Sequence, residues 1–127
     1  MITSIFAKKV GTRRGRAIWE LCERLIYWIN DEIPVIVPKG FQTDFASVPR
    51  VPLAYLFCGD TCHEAATVHD YLYRKDCVPN LSKEEADLTF LRITREKGEG
   101  IGRSMFFFVK HFANGSWKKK LVGDRLI

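Results

Sequence analysis

The first forty residues alternate between apolar and polar positions in a way that indicates β-structure. Within residues 17–29 the apolar side chains fall at every second position, with one interruption at Glu23. This alternation is typical of strands with one buried face, and it predicts one or two strands. A β-branched run at 34–38 follows, and Lys39 and Gly40 have the composition of a turn. We therefore expect a small antiparallel sheet or a pair of hairpins.

The later part of the chain has the pattern of helices. Residues 40–50 are irregular, and residues 63 to about 74 predict a first helix. Ser82 and Glu85 form a capping box that opens a second helix, which runs to about residue 97 and ends at Gly98. A third helix is predicted from residue 101 to about 112. Strands followed by about three helices define an α+β fold.

The length of 127 residues predicts a single domain over residues 1–127, with ends at 1–16 and 118–127 that can be flexible. The chain is 46% hydrophobic and 28% charged, the balance of a globular protein. No apolar run reaches the ~18–20 residues of a membrane-spanning helix. No basic stretch precedes a long apolar segment, so we expect no secretory signal peptide. The predicted location is the cytoplasm in which the protein is made.

Basic residues cluster near both ends of the chain. The formal net charge is +5, and the clusters lie at residues 13–16 and 118–120. Such clusters attract phosphate-bearing partners, either nucleic acid or an anionic membrane surface. No recognised nucleic-acid-binding motif accompanies them. The simpler hypothesis, which we favour at this point, is a solvated surface with basic ends.

The four cysteines allow three interpretations. Cys58, Cys62 and Cys77 could join His63 as zinc ligands, but the paired Cys-x-x-Cys spacing of structural zinc sites is absent. A disulfide between Cys62 and Cys77 would need an oxidising compartment. We expect free, partly buried thiols, including Cys22.

Two ionisable residues fall on the apolar faces of the first two helices. His69 shares its face with Tyr73, and Asp87 shares its own with Phe90. Ionisable groups in such places are seldom left without a partner. The short connection predicts antiparallel helices, and both residues lie ~7–8 Å from it along their helices. We therefore predict a hydrogen bond between His69 and Asp87.

This pair is a candidate for acid–base chemistry. Asp87 would select one tautomer of His69 and leave the other ring nitrogen to accept a proton. Asp70 is rotated by ~100° from His69 around the helix, and Tyr73 lies on the His69 side. A carboxylate beside a general base suits a hard cation such as Ca²⁺, with loop carbonyls as further ligands. The same network can also serve only to fix the packing of two helices.

Three segments of the chain resemble a family of phage and prophage proteins of unknown function. They are GFxTDxASxPR at residues 40–50, AAxxHDxLY at 65–73 and ADxxF at 86–90. The resemblance covers about residues 17–117. It implies a protein encoded by a phage or prophage, made in the host cytoplasm and able to enter the virion. Other phage proteins are then possible partners.

The helical segments are also similar, more distantly, to the active-site signature of phospholipases A2, His-Asp-x-x-Tyr on one helix and Ala-Asp-x-x-Phe on the next. This resemblance implies a phospholipase-A2-like antiparallel helix pair in which His69 is the general base and Asp70 binds Ca²⁺. It also implies that Tyr73 and Asp87 orient the base. The glycine-rich calcium loop of those lipases is absent, and the 40–50 stretch stands in its place. We expect that stretch to fold over the site, with Asp44 as a second metal ligand.

These features lead to a metal-assisted hydrolase of a lipid or another ester as the first hypothesis, with an anionic membrane surface as its partner. A second enzymatic hypothesis uses Ser47 as a nucleophile with His69 and Asp87, although Ser47 lacks the sequence of a nucleophile elbow. The alternative from another class is a non-enzymatic virion or accessory protein, which keeps the fold and binds a partner.

Overall fold

The computed structural model describes residues 2–44, 63–96 and 117–126, and these residues form five strands and two helices. The strands are β1 (Ala7–Arg13), β2 (Arg16–Leu21), β3 (Leu25–Ile29), β4 (Ile33–Val37) and β5 (Gln42–Thr43), and the helices are α1 (His63–Leu72) and α2 (Lys83–Glu96). Strands precede helices, which confirms the α+β class. The third predicted helix, at 101–112, lies outside the described residues. Neither described helix is long and apolar enough to cross a membrane.

The described strands form two antiparallel sheets. One has the order β1–β2–β5, and the other is the β3–β4 hairpin. The alternating stretch at 17–29 is therefore divided between β2 and β3, which belong to different sheets. The pattern continues across both strands because Leu21, Leu25 and Tyr27 all enter one core. The predicted antiparallel β-structure is confirmed.

The N-terminal residues contain a strand where the sequence allowed a flexible end. β1 pairs with β2 along its length, from Ala7 opposite Leu21 to Arg13 opposite Arg16. None of the β1 side chains is fully buried. Backbone hydrogen bonds rather than apolar side chains hold this strand, so the side-chain pattern did not indicate it.

Residues 118–126, also expected as a flexible end, make specific contacts with two parts of the fold. The Lys118 N–H donates to the Tyr73 carbonyl just after α1, with an N–O distance of 2.8 Å. The N–H of Leu126, whose residue is buried, donates to Gln42 Oε1 on β5 at 2.7 Å. This segment therefore joins the end of α1 to the first sheet.

The core lies between the β3–β4 hairpin and the two helices. α1 packs against α2, β3 and β4, and seven of its ten residues are buried. Its partners in the core include Tyr27, Val35 and Phe90. Because most of α1 is buried, polar side chains on its buried faces must find partners inside the protein.

The start of α2 is the one predicted from the sequence. The backbone N–H of Glu85 donates to Ser82 Oγ at 3.1 Å, so Ser82 is the N-cap and α2 begins at Lys83. The predicted end at residues 97–98 lies outside the described residues.

Candidate active site

The end of α1 carries three of the predicted site residues. His69 and Tyr73 are four positions apart, which places them on one helical face. The N–H of Tyr73 donates to the His69 carbonyl at 3.0 Å, so the helical bonding extends one residue past Leu72. The two rings lie with their centroids 4.2 Å apart. Asp70, one position further along the helix, contacts β5 instead.

The predicted hydrogen bond between His69 and Asp87 is present. His69 Nε2 and Asp87 Oδ1 are 2.7 Å apart, and the two residues are 1% and 2% exposed. A carboxylate can only accept, so Nε2 carries the proton in this pair. The edge of Phe90 packs against the His69 ring with centroids 5.7 Å apart. The imidazole is thus held both by a buried anion and by aromatic contacts.

Two further donors bind the same carboxylate. Tyr73 Oη donates to Asp87 Oδ1 at 2.6 Å, and Lys83 Nζ donates to Oδ2 at 2.9 Å. Burial raises the pKa of Asp87, but the hydrogen bonds from His69, Tyr73 and Lys83 outweigh it, so the pKa lies below its usual value. Burial, followed by the Asp87 carboxylate, raises the pKa of Tyr73, which remains a phenol. Asp87 is therefore a buried anion with three donors.

Asp70 has the opposite environment. Thr43 Oγ1 on β5 donates to Asp70 Oδ2. Burial raises the pKa of Asp70 and the negative charge of Asp44 raises it further, and the Thr43 hydrogen bond offsets only part of this rise. Ionised Asp70 is therefore destabilised by its surroundings.

Asp44 lies directly after β5 and next to the Thr43–Asp70 contact. It lines a cavity of about 340 Å³ together with basic residues that include Arg13, Arg16 and Lys120. Its charge acts on Asp70, so the two predicted metal ligands are electrostatically coupled. Residues 45–50, which we expected to fold over the site, lie outside the described residues.

The side chains near β5 supply oxygen atoms, which are the kind of ligand that a hard cation prefers. Asp70 and Asp44 supply carboxylates and Thr43 a hydroxyl, whereas Ca²⁺ takes six to eight oxygen ligands. In the described ranges, no group of three or more His, Cys, Asp or Glu side chains could hold a metal ion. Backbone carbonyls and water would have to complete any calcium shell here.

The described cysteines are free thiols. Cys22 is exposed, and Cys77 is buried with its Sγ donating to the Leu72 carbonyl at 3.3 Å. Free thiols at these two positions agree with the expectation from the sequence. Cys58 and Cys62, like the alternative nucleophile Ser47, lie outside the described residues.

Two residues of the network were not among the predicted site residues. Lys83 precedes Asp87 by four positions, a helical ion-pair spacing that could have revealed it. Thr43 gave no such signal, because its contact with Asp70 spans 27 positions and depends on the way β5 meets α1.

A family model described as "Protein of unknown function (DUF1353)" matches residues 19–110, which include Asp44, His69, Asp70, Tyr73 and Asp87. No curated protein and no solved structure matches the chain.

Proposed function

Because the chain belongs to the DUF1353 family, described only as of unknown function, we propose an activity from its own side chains: a phospholipase-A2-like, metal-assisted hydrolase of a lipid or other ester. The observation that carries the proposal is the buried hydrogen-bond network around Asp87. Its Oδ1 accepts hydrogen bonds from both His69 and Tyr73. The resemblance to phospholipases A2 implies the same partners for the general base.

In the proposed reaction His69 acts as a general base. Its Nε2–H is held by Asp87, so Nδ1 is the nitrogen that accepts a proton from water. The water oxygen forms a bond with the ester carbonyl carbon. The imidazolium then returns its proton to the leaving alkoxide as the carbon–oxygen bond of the ester breaks. Such proton transfer contributes about 10²–10⁴-fold to a rate.

Tyr73 and Lys83 support this chemistry through Asp87. Both donate to its carboxylate, which keeps Asp87 ionised and fixed in orientation. A fixed anion selects the tautomer of His69 and stabilises the imidazolium when it forms. These two side chains are therefore positioning residues, since each acts through Asp87.

The proposed metal is Ca²⁺, which when bound would stabilise the negative charge that develops on the ester oxygen. Asp70 and Asp44 would hold the ion. Their fit is supported by electrostatics, because Asp44 disfavours the ionised form of Asp70 and a cation would relieve that repulsion.

The proposed setting is an anionic membrane surface in a phage-infected or prophage-carrying cell. The net charge of +5 and the two basic clusters favour such a surface. The resemblance to phage and prophage proteins supports synthesis in the host cytoplasm, incorporation in the virion and contacts with other phage proteins.

The direct test is Ca²⁺-dependent hydrolysis of mixed anionic phospholipid vesicles, measured as released fatty acid. We expect turnover that a chelator abolishes. His69→Gln should lower the rate by about 10²–10⁴-fold. His63→Gln changes the other histidine of α1, at its first residue, and serves as the matched control with an unchanged rate.

Asp70→Asn separates metal binding from folding. We expect Ca²⁺ affinity, measured by calorimetry, to fall, and the melting temperature without divalent cations to be at least that of the wild type. A folded wild-type protein with neither Ca²⁺ affinity nor ester turnover would contradict the hydrolase. That outcome would favour the non-enzymatic partner-binding protein, for which one observation speaks: His69 is only 1% exposed, as in a network that fixes helix packing.

A further inference from the structure

The cavity beside Asp44 is lined by an unusual concentration of positive charge. Arg13, Arg14 and Arg16 come from the β1–β2 hairpin and Lys120 from the C-terminal segment. Asp44 is the acidic residue among the lining side chains, which therefore comprise four basic residues and one acidic residue. The apolar residues Ile18 and Leu126 complete the lining, and both are buried.

The β1–β2 hairpin brings its arginines together in an energetically unfavourable arrangement. Arg14 and Gly15 both have positive φ angles, 52° and 78°, as in the tight two-residue turns that join antiparallel strands. Such a φ is unfavourable for a residue with a side chain. The turn places Arg13 directly opposite Arg16, and like charges opposite each other on a sheet destabilise it.

Lys120, although exposed, responds to the positive charges around it. Partial desolvation lowers the pKa of Lys120, and the positive charges of Arg74 and Arg13 lower it further. Repulsion among neighbouring cations is relieved by a bound anion.

The chemistry of the lining favours phosphate over a single carboxylate. The four basic side chains of the lining outnumber its one carboxylate. Guanidinium groups match the oxygens of a phosphate with paired hydrogen bonds. A cavity of about 340 Å³ admits a compact phosphate-bearing group.

We propose that the cavity formed by Arg13, Arg14, Arg16 and Lys120 is a phosphate-binding site that takes a phosphate mono- or diester. The site goes beyond the proposed hydrolase and does not depend on it, because none of its four basic side chains belongs to the hydrogen-bond network of His69 and Asp87. It adjoins the candidate active site through Thr43 and Asp44 of the same chain segment.

The test compares two double variants that remove equal charge. Arg13→Gln with Lys120→Gln changes the cavity, whereas Lys9→Gln with Lys39→Gln changes exposed lysines on β1 and in the turn between β4 and β5, which neither line the cavity nor belong to the basic clusters. Binding is measured by calorimetry with inorganic phosphate and with glycerophosphoglycerol. Vesicle flotation uses phosphatidylglycerol mixed with phosphatidylcholine, and phosphatidylcholine alone as the neutral reference.

We expect saturable binding of at least one phosphate probe, weakened about tenfold or more by the cavity variant and less than about twofold by the control. Binding of the soluble probes would identify a free phosphate ester as the ligand, and cavity-dependent binding to anionic vesicles alone would identify a lipid headgroup. Equal weakening by both variants would overturn the proposal, since it would show an effect of net charge. Absence of binding to all three probes, with the melting temperature of the wild type intact, would also overturn it.

Discussion

Asp70, which is half-buried, and Asp87, which is buried, show how two carboxylates of one site can differ. Asp87 receives three donors, and its pKa is lowered despite burial, so its ionised form stabilises the fold above the usual carboxylate pKa. Asp70 receives a hydrogen bond from Thr43, and burial together with Asp44 raises its pKa. Asp87 therefore has the environment of a structural anion, whereas the surroundings of Asp70 favour its protonated form.

This contrast predicts that Asp70→Asn stabilises the protein at neutral pH in the absence of divalent cations. Asparagine keeps the shape and an acceptor for Thr43 but removes the negative charge. Because the pKa of Asp70 is raised on folding, its destabilising effect is absent below the unfolded-state pKa and develops as pH rises through the folded-state pKa. The difference in free energy of unfolding between variant and wild type should follow the same course, measured by urea unfolding at a series of pH values.

Glu84→Gln is the control for that experiment. Glu84 is an exposed carboxylate in the first turn of α2, where negative charge is favourable. We expect this variant to be no more stable than the wild type at neutral pH. If Asp70→Asn is less stable than the wild type there, the ionised Asp70 has a stabilising partner and the interpretation is wrong.

At the scale of elements, α2 must begin at the right residue for the site to form. Ser82 is the N-cap, so the helix begins at Lys83. Lys83 and Asp87 are then one helical turn apart. A helix that began later would lose the N-cap and loosen the turn that carries Lys83. The cap therefore supports the anion on which His69 depends.

We predict that Ser82→Ala lowers the free energy of unfolding by about 1 kcal/mol, because Glu85 N–H loses its acceptor. Ser82→Asp restores an acceptor, so its free energy of unfolding should lie within a few tenths of a kcal/mol of the wild-type value. Thermal unfolding followed by circular dichroism measures both. Equal losses for the two variants would show that the hydroxyl does not cap α2.

At the scale of the whole molecule, Gln42 joins segments that are distant in sequence. Its side-chain amide donates to Glu20 on β2 at 3.1 Å, and its side-chain oxygen accepts from the Leu126 N–H at 2.7 Å. Its backbone carbonyl accepts a hydrogen bond from Arg74 Nη2 at 3.4 Å. The residue is 1% exposed, so these contacts are shielded from water. Gln42 thus connects the first sheet, the end of α1 and the C-terminal segment.

Replacing this side chain should have a larger effect than breaking a neighbouring surface contact. Gln42→Leu leaves the buried N–H of Leu126 without its acceptor, which we expect to lower the free energy of unfolding by about 1–3 kcal/mol. Arg125→Gln removes an exposed ion pair with Glu20 and should change stability little. Urea unfolding of both variants checks the order. A larger loss for Arg125→Gln would contradict the role given to Gln42.

The sequence by itself determined the features that depend on short-range spacing. Alternation at 17–29 indicated strands, the Ser82 box placed the start of α2, and helical spacing with a short connection predicted the His69–Asp87 hydrogen bond. In each case the relevant residues lie on one element or on two successive ones. Their relative positions follow from helix and strand geometry, which the pattern of side chains reveals.

Only the tertiary structure decided the contacts between distant segments. β1 is held by backbone hydrogen bonds, which every residue type except proline can make, so no side-chain pattern indicated it. Thr43 reaches Asp70, and Lys120 joins Arg13 at one cavity, because the chain closes long loops around the core. Residues of the two basic clusters, which the sequence suggested to be a solvated surface, line this cavity together for the same reason. Contacts of this kind depend on the packing of the whole chain, and no local spacing encodes them.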